Sequence, residues 1–501
     1  MSLVPEAEIL RGALAREALS CPTPWLKPRR SYDKITYYFN KEDCPVDTIA
    51  AIATANAAAA VGILRISGDD TLRVLGTLFT PASGKELSSL PPRRMSYGAV
   101  HDARRRVIDH ALAVWFSAEH SYTGEVSAEI HCHGSPVVLD EALRAAFAAG
   151  ARQARAGEFT QRAFLNGRMD LTEAEAVIDL IDAETAEAAR NAATQVDGAL
   201  KHLSERAYDA LLDIASRFYA VVDYPDEDIE DVTRSGMEQT LAGVERTLTD
   251  LLATYERGRI VKSGAATAIV GAPNAGKSSL LNRLVGYERA IVTDIAGTTR
   301  DTVEEKAVVG GVLLRLIDTA GLRETEDAVE KLGVERSRRA IEQADLILAL
   351  FDGTKSVDTA ARETLQLVCS SGKPWIFIET KKDLSKKKSS IAPAGPDAPP
   401  YVALSSVTGE GFDELERAVA AIFPAPPAHS GTLLTNARQA EAVGRALTAV
   451  RAALSALREG VTPDAVLTEV ESAAHALGEL TGRTAREDMV QRIFERFCVG
   501  K

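Results

Sequence analysis

Gly271-Ala-Pro-Asn-Ala-Gly-Lys-Ser278 places two glycines, a lysine and a hydroxyl at the spacing that grips a polyphosphate. Gly271 and Gly276 let the backbone curl until successive N–H groups face an anion, and a helix beginning Ser279-Leu-Leu-Asn adds its N-terminal dipole. Lys277 is then placed to reach the β- and γ-phosphates and the Ser278 hydroxyl to bind Mg²⁺, with Asn274, Ala275, Gly276 and Ser279 completing the loop. Asp318-Thr319-Ala320-Gly321 follows the apolar run Val312–Ile317, so Asp318 would hold Mg²⁺ through water and the Gly321 N–H would sense the γ-phosphate. Between the two motifs lies Thr293-Asp294-Ile295-Ala296-Gly297-Thr298-Thr299, where a switch loop supplies a second Mg²⁺-binding hydroxyl, expected from Thr299. Thr380-Lys381-Lys382-Asp383 follows Trp375–Ile378; the Asp383 carboxylate can accept from both N1–H and the 2-amino group of guanine, which adenine does not offer. Ser405-Ser406-Val407 stands where a loop supports the base. The set predicts a Mg²⁺-dependent GTPase.

Two positions depart from the usual pattern and a third has two readings. Thr380 stands where Asn is usual, which weakens base contacts. Leu322, directly after Gly321, has no polar side chain to orient an attacking water, as a Gln does in many GTPases. Asn274 has two readings that the residues leave open: a ligand for a monovalent cation against the phosphates, or a loop former.

These motifs need a scaffold. Residues Gly264 to about Phe423 alternate strand and helix patterns, as in a doubly wound α/β domain. On either side the chain is helical: about Leu171–Val222, with a capping box expected from Thr172 and Glu175, then about Gly236–Arg259, and from Asn436 onward. Helix, α/β unit, helix is the footprint of a domain inserted into a bundle. From Asp47 the pattern is α+β, with strands at Val61–Ile66 and Ala111–Phe116 and a helix at Val137–Ala148. Residues 1–46 read as an extension with no assigned role. With 501 residues, 26% charged and 46% hydrophobic, several cores are expected. A net charge of −13 means that a nucleic acid would need a local basic patch. Five scattered cysteines with no CxxC pair fit a reducing compartment, no apolar run is long enough to span a bilayer, and a cytoplasmic location is expected.

Beyond the GTPase motifs, the chain from about Asp47 to Lys501 resembles the MnmE (TrmE) family of tRNA-modifying GTPases. The resemblance rests on Val61–Gly68, Tyr122-Thr-Gly-Glu125, Glu129-Ile-His-Cys-His-Gly134, Gly157–Asn166, Asp170–Ala176, Val329–Gly333 and the closing Phe497-Cys-Val-Gly-Lys501. It implies a multidomain fold: an N-terminal α+β dimerisation and folate-binding domain (47–167), a helical bundle in two parts (168–262 and 427–501), and an inserted Ras-like α/β P-loop GTPase domain (263–426). It further implies a homodimer, and a heterotetramer with the FAD-dependent protein MnmG. Together these install a carboxymethylaminomethyl or aminomethyl group at C5 of the tRNA wobble uridine, using a 5-formyl- or methylene-tetrahydrofolate donor. By the same resemblance Arg65, Glu129, Arg168 and Lys501 would contact folate. Asn274, Thr293, Ile295 and Thr298 would hold K⁺, and Glu330 would position the water that Leu322 cannot. The segment Thr54–Ala60 departs from the family's Gly/Pro/Arg-rich loop.

Other features read more plainly. Cys498 is a candidate nucleophile, but a terminal cysteine is more often an unactivated thiol. His131 and His133 share a strand face without the further ligands that zinc needs. The acidic run Asp226–Asp231 and the lysines 386–388 read as solvated segments. A ribosome-assembly or signalling GTPase that binds RNA without covalent chemistry is the competing function, and the compact basic domain it usually carries is missing.

Overall fold

The computed structural model describes residues 47–223, 234–287, 305–317, 330–355, 358–384, 395, 398–424, 433–484, 487–495 and 497–500. The extension 1–46, the switch segment Thr293–Thr299, Asp318–Leu322, the acidic run, Lys386–Lys388 and Lys501 lie outside them. Contacts divide the chain into two units, one comprising residues up to Asn166 with 498–501, the other Gly167–Phe497.

In the first unit, alternating apolar residues build strands β1 (Ile49–Ile52), β2 (Ala59–Ser67), β3 (Phe79–Pro81), β4 (Ser96–His101), β5 (Val107–Phe116), β6 (Ser127–Gly134) and β7 (Arg152–Gln153). They form one sheet in the order β3-β4-β5-β6-β2-β1-β7, antiparallel except for β1–β7. Leu64, Ile66, Ala128 and Ile130 point to one face, where helices α1 (Thr71–Leu78) and α2 (Pro136–Ala148) cover them through Val74, Leu75, Leu139 and Ala142. The opposite face carries Val61, Arg65, Tyr97, Leu112, Glu129 and His131, with Val61, Tyr97 and Leu112 exposed.

Helix α3 (Glu158–Leu165) starts at Gly157, whose φ of 64° suits glycine, and is fixed by charge. Glu158, with a side chain 2% exposed, accepts from Arg152 (2.5 and 2.8 Å), from the Arg155 backbone (2.8 Å) and from Arg162 (3.1 Å). Arg162 in turn pairs with Glu125 at 2.9 Å and Asp47 at 2.7 Å. Burying one of these charges alone would cost several kcal/mol, so the network forms as a set.

The second unit opens with α4 (Leu171–Ile181), α5 (Ala186–Val196), α6 (Ala199–Asp223), α7 (Arg234–Leu252) and α8 (Tyr255–Ser263). The long stretch expected from Leu171 is thus three helices, broken at Asp182–Thr185 and at Gly198, whose φ is 83°. The second stretch also breaks, at Ala253–Thr254. The capping box is not Thr172/Glu175. Asp170 caps α4, accepting from the Glu173 N–H at 2.8 Å while Glu173 accepts from the Asp170 N–H at 2.6 Å. Thr172 is buried inside the helix and donates to Asp170, and Glu175 is engaged elsewhere, by Arg438.

Strand β8 (Ala265–Gly271) begins the GTPase part, followed by α9 (Lys277–Tyr287), β9 (Glu305–Val309), β10 (Val312–Ile317), α10 (Glu330–Gln343), β11 (Leu346–Asp352), α11 (Thr359–Ser370), β12 (Trp375–Thr380), β13 (Tyr401–Ala403) and α12 (Phe412–Ile422). Sheet order is β13-β12-β11-β8-β10-β9, parallel except for the β9–β10 hairpin. Helices α13 (Ala437–Glu459), α14 (Pro463–Thr481) and α15 (Glu487–Phe494) complete the chain. Leu211, Leu241 and Leu248 share one core with Val443, Val450, Val470 and Leu477, so the helices before and after the α/β part form one bundle. At the crossing, Gly258 of α8 lies so close to the incoming chain that a Cβ would overlap the Leu434 carbonyl oxygen. Among the described residues no helix is long and apolar enough to cross a membrane.

The Glu158 network generates a pH prediction. Burial alone would raise this carboxyl, but Arg152, the Arg155 N–H and Arg162 outweigh it and hold the pKa at about 2, against 4.5 unperturbed. The depressed value contributes stability that is fully present above about 4.5 and is lost as pH falls toward 2. Glu158→Gln should flatten the acid side of the first unit's unfolding profile across that window, measured by denaturant titration at stepped pH. A profile of unchanged slope would remove Glu158 as its origin.

Candidate functional site

The buried strand Ala265–Gly271 delivers the loop at the carboxyl edge of the parallel sheet, where helix N-termini converge. Register places Gly271 opposite Leu350 and Asp352 opposite Thr380, so the ends of β8, β11 and β12 meet there. Gly271 has no room for a side chain, since a Cβ would sit 2.6 Å from the Leu350 carbonyl oxygen. Gly276 has φ 91° and Asn274 φ 62°, the left-handed turns that curl the loop. The helix opens at Lys277, two residues before the expected Ser279, so Ser278 and Ser279 belong to its first turn.

Lys277 Nζ donates to the Gly271 and Ala272 carbonyls at 2.8 and 2.9 Å, folding its ammonium over the loop. Burial holds its pKa below the usual lysine value, so an incoming phosphate charge would favour the protonated form. Ala275 is buried, and the exposed Ser278 and Asn274 face outward.

Sequence reasoning marked Thr380 only as a departure. In the structure its hydroxyl acts as a tether. Buried, it donates to the Ala275 carbonyl at 2.8 Å and lies 3.2 Å from the Phe351 carbonyl, tying the phosphate loop to β11 and β12. Lys381, at φ 60°, reaches the Asn274 carbonyl at 3.0 Å and Asp352 at 2.6 Å. Lys382 pairs with Glu410 at 3.1 Å and its N–H bonds the Leu404 carbonyl. Asp383 is exposed on the next turn, free to face a base. Ser405 is buried and its Oγ accepts from the Thr408 N–H, which shapes the loop that carries Ser406 and the exposed Val407. Glu330 opens α10.

The first unit holds a second cluster. Arg65 and Glu129 are register partners on β2 and β6, joined at 2.9 and 3.0 Å. Glu129 also meets His131 at 3.2 Å. The Arg65 guanidinium lies 5.7 Å from the ring centroids of both Tyr122 and Phe159. The carboxyl end of the chain closes on it: Arg65 reaches the Gly500 carbonyl at 3.4 Å, Val499 bridges Ala156, and a Cβ on Gly500 would overlap the Ile52 carbonyl. Of the four residues expected at a folate site, the structure brings together Arg65 and Glu129; Arg168 belongs to the second unit. Cys498 is exposed, and its carbonyl accepts from the Gly157 N–H. His133 faces Asp109 at 2.8 Å, and no metal-holding group of His, Cys, Asp or Glu occurs among the described residues.

A parallel sheet that presents a phosphate loop and the exposed Asp383 at one edge, inserted in a helical bundle, defines a P-loop GTPase. Residues 48–168 match the family model for the GTP-binding protein TrmE N-terminus, and residues 171–498 match the MnmE helical domain. The tRNA modification GTPase MnmE of Roseiflexus sp. (strain RS-1) is 43% identical over 465 residues, covering 91% of this chain and 99% of that protein. The protein of the same description from Heliobacterium modesticaldum is 40% identical, with the same shares covered. Among solved structures, Aquifex aeolicus Era bound to GDP.AlF4- aligns at 29% identity over 36% of this chain and 65% of that chain, with a TM-score of 0.23, too low to carry an argument. The chain belongs to the MnmE family of tRNA modification GTPases, and it is a GTP hydrolase acting in tRNA modification.

The Thr380 tether is testable. Thr380→Val keeps the shape and strips the donor from a buried carbonyl, which should cost about 1–3 kcal/mol and weaken GDP binding roughly tenfold. Thermal unfolding and nucleotide titration check it. An unchanged affinity would mean that the hydroxyl does not hold the loop.

Proposed function

We propose that this chain is a K⁺-activated GTPase that works as a homodimer with an FAD-dependent partner of the MnmG kind. Together they modify C5 of the wobble uridine of certain tRNAs to carboxymethylaminomethyl- or aminomethyluridine, with a reduced folate as one-carbon donor. The observation that carries this reading is the coexistence, in one chain, of the phosphate loop and the Arg65–Glu129 cluster. A free-standing switch has no use for the second.

The donors proposed for the ions are all oxygens, which suits hard cations. Ser278 and Thr299 would hold Mg²⁺. Asn274, whose left-handed backbone turns its side chain outward, would hold K⁺ with Thr293, Ile295 and Thr298. Bound there, K⁺ supplies positive charge against the developing phosphate charge, as an arginine finger does elsewhere. Lys277 steadies the β- and γ-phosphates. Glu330 orients the attacking water in place of Leu322. Asp383 selects guanine, with Lys381, Lys382 and Ser405–Val407 shaping the base loop.

A reduced folate offers a flat ring with both donors and acceptors. The half-buried Arg65–Glu129 pair beside Tyr122 and Phe159 fits such a group, with Arg168 and Lys501 as further contacts. Cys498 is the thiol offered to the one-carbon chemistry. Support for the homodimer comes from the sheet face opposite α1 and α2, where Val61 is 51%, Tyr97 57% and Leu112 40% exposed.

In tRNA nucleosides from a strain lacking this protein, mass analysis should find the wobble-uridine modification gone; intact modification would leave an RNA-binding GTPase without covalent chemistry as the better reading. Hydrolysis by the purified protein should rise at least roughly tenfold when K⁺ replaces Na⁺, since charge supplied at this place is worth up to about 10³–10⁵. Equal rates in the two salts would exclude the cation.

A further inference from the structure

The last turn of α4 and the turn that follows it carry three carboxylates, Asp179 in the helix and Asp182 and Glu184 after it, at a helix carboxyl end where the dipole disfavours them. Two lysines meet them, one from the end of the helical part just before β8 and one from the GTPase sheet. Lys262, in the last turn of α8, lies 2.7 Å from Asp179 and also bonds the Asn436 side chain. Lys306, on β9, lies 2.6 Å from Glu184. The places of these lysines in the chain are telling. Lys262 is separated only by Ser263 and Gly264 from β8, which runs into the phosphate loop. Lys306 follows the expected switch loop by seven residues and pairs across β9–β10 with Arg315, on the strand that leads to Asp318.

The two contacts differ in kind. The Asp179 side chain is 7% exposed and also accepts from the Thr435 hydroxyl. Parting that pair would strand a dry charge, so it is a fixed joint. Lys306 and Glu184 are 37% and 26% exposed, and water can replace either partner at little cost. Next to them the seam is incompletely filled: a cavity of about 230 Å³ is lined by Thr185, Glu187, Arg257, Val312 and Phe423, among others. At its wall Glu187 and Arg257 stand 3.7 Å apart, with the Glu187 Oε1 and Arg257 Nε atoms buried and lacking hydrogen-bond partners. An incompletely filled seam beside a fixed pivot can shift without opening a core.

We propose that Lys306 and Glu184 form a latch through which the switch side of the GTPase sheet signals nucleotide state to the helical bundle. They are positioning residues, acting on tRNA modification through the bundle and taking no part in the hydrolysis site. A nucleotide-dependent displacement at the start of β9 passes through the latch to the α4–α5 turn while Lys262–Asp179 holds the pivot.

The test uses the full-length protein with Lys306→Glu, Glu184→Lys, their combination and Lys306→Arg. Each reversal should leave the kcat for GTP within about twofold, because a half-exposed pair contributes little to the fold. Each should also cut tRNA modification by at least about tenfold, a drop larger than a solvated pair explains, in cells carrying the variant as sole copy. The combination and Lys306→Arg should restore it. Modification unaffected by the reversals, or not restored by the combination in protein that hydrolyses GTP normally, overturns the latch. Wild-type protein in the same cells separates this failure from failure of the modification assignment. Should a reversal fail to fold, Glu184→Gln serves in its place, read by hydrogen exchange over residues 171–196 with GDP and with a non-hydrolysable GTP analogue. A nucleotide-dependent difference present in wild type and absent in Glu184→Gln supports the latch, and equal differences in the two overturn it.

Discussion

Glu175 and Arg438 stand 263 residues apart in the chain and meet through two hydrogen bonds of 2.7 and 2.8 Å. Gln439 adds a third to the same carboxylate at 2.8 Å, and Arg438 also caps the Glu479 and Leu480 carbonyls. All of this is largely buried, so the pair cannot be left half made: breaking one partner would strand a charge at a cost of about 3–5 kcal/mol. The constraint closes the bundle around its insertion. With α4 locked to the start of α13, both ends of the GTPase part emerge side by side, at α8 and at Leu433–Asn436. Thr254 there accepts from the Leu434 N–H, and Gly258 lets the two segments touch. An α/β domain attached by two adjacent strands of chain can reorient as a body without disturbing the core that Leu241 and Val450 share.

That arrangement explains why the sheet edge is built as it is. The phosphate loop and the Thr380–Asp383 segment leave the carboxyl ends of β8 and β12 beside that of β11, and they are cross-tied. Thr380 holds Ala275, Lys381 spans Asn274 and Asp352, and Lys277 gathers two carbonyls. Backbone N–H groups can face a phosphate only if the loop's carbonyls are satisfied elsewhere, and these side chains satisfy them. The two sequence departures then look different from each other. Thr380 supplies a tether because its hydroxyl reaches Ala275, whereas no side-chain chemistry of leucine can replace that of a water-orienting glutamine.

The phosphate loop was legible because its chemistry dictates residue type and spacing within eight positions. The strands Val312–Ile317 and Trp375–Ile378 were legible because a sheet covered on both faces demands mainly apolar runs, broken here only by Arg315. Helix termini were less so. Asp170-x-x-Glu173 and Thr172-x-x-Glu175 are overlapping cap patterns, and nothing local says that Glu175 is reserved for an arginine 263 residues on. The breaks at Asp182–Thr185 and Gly198 were hidden by a composition good for helix throughout. Arg65 and Glu129 became site residues only through resemblance. Two opposite charges on alternating strands were a signal in principle, but pairing them needs a register that no single strand contains.

The ion pairs of the second unit sort by burial into two mechanical kinds, and this is where sequence, energy and function meet. Glu175–Arg438 and Asp179–Lys262 are enclosed, multiply bonded and expensive to open, so they define what stays still. Lys306 with Glu184 is more exposed and held by a single contact, and it lies on the path between the sheet and the bundle. A protein that converts a phosphate bond into a displacement needs both kinds: without the enclosed pairs a moving strand would only deform its own domain, and without the exposed ones the rigid bundle would never register the motion. Carboxylates four to nine residues apart in one helix and turn serve both ends because the depth of burial, rather than the residue, sets how easily each pair exchanges with water.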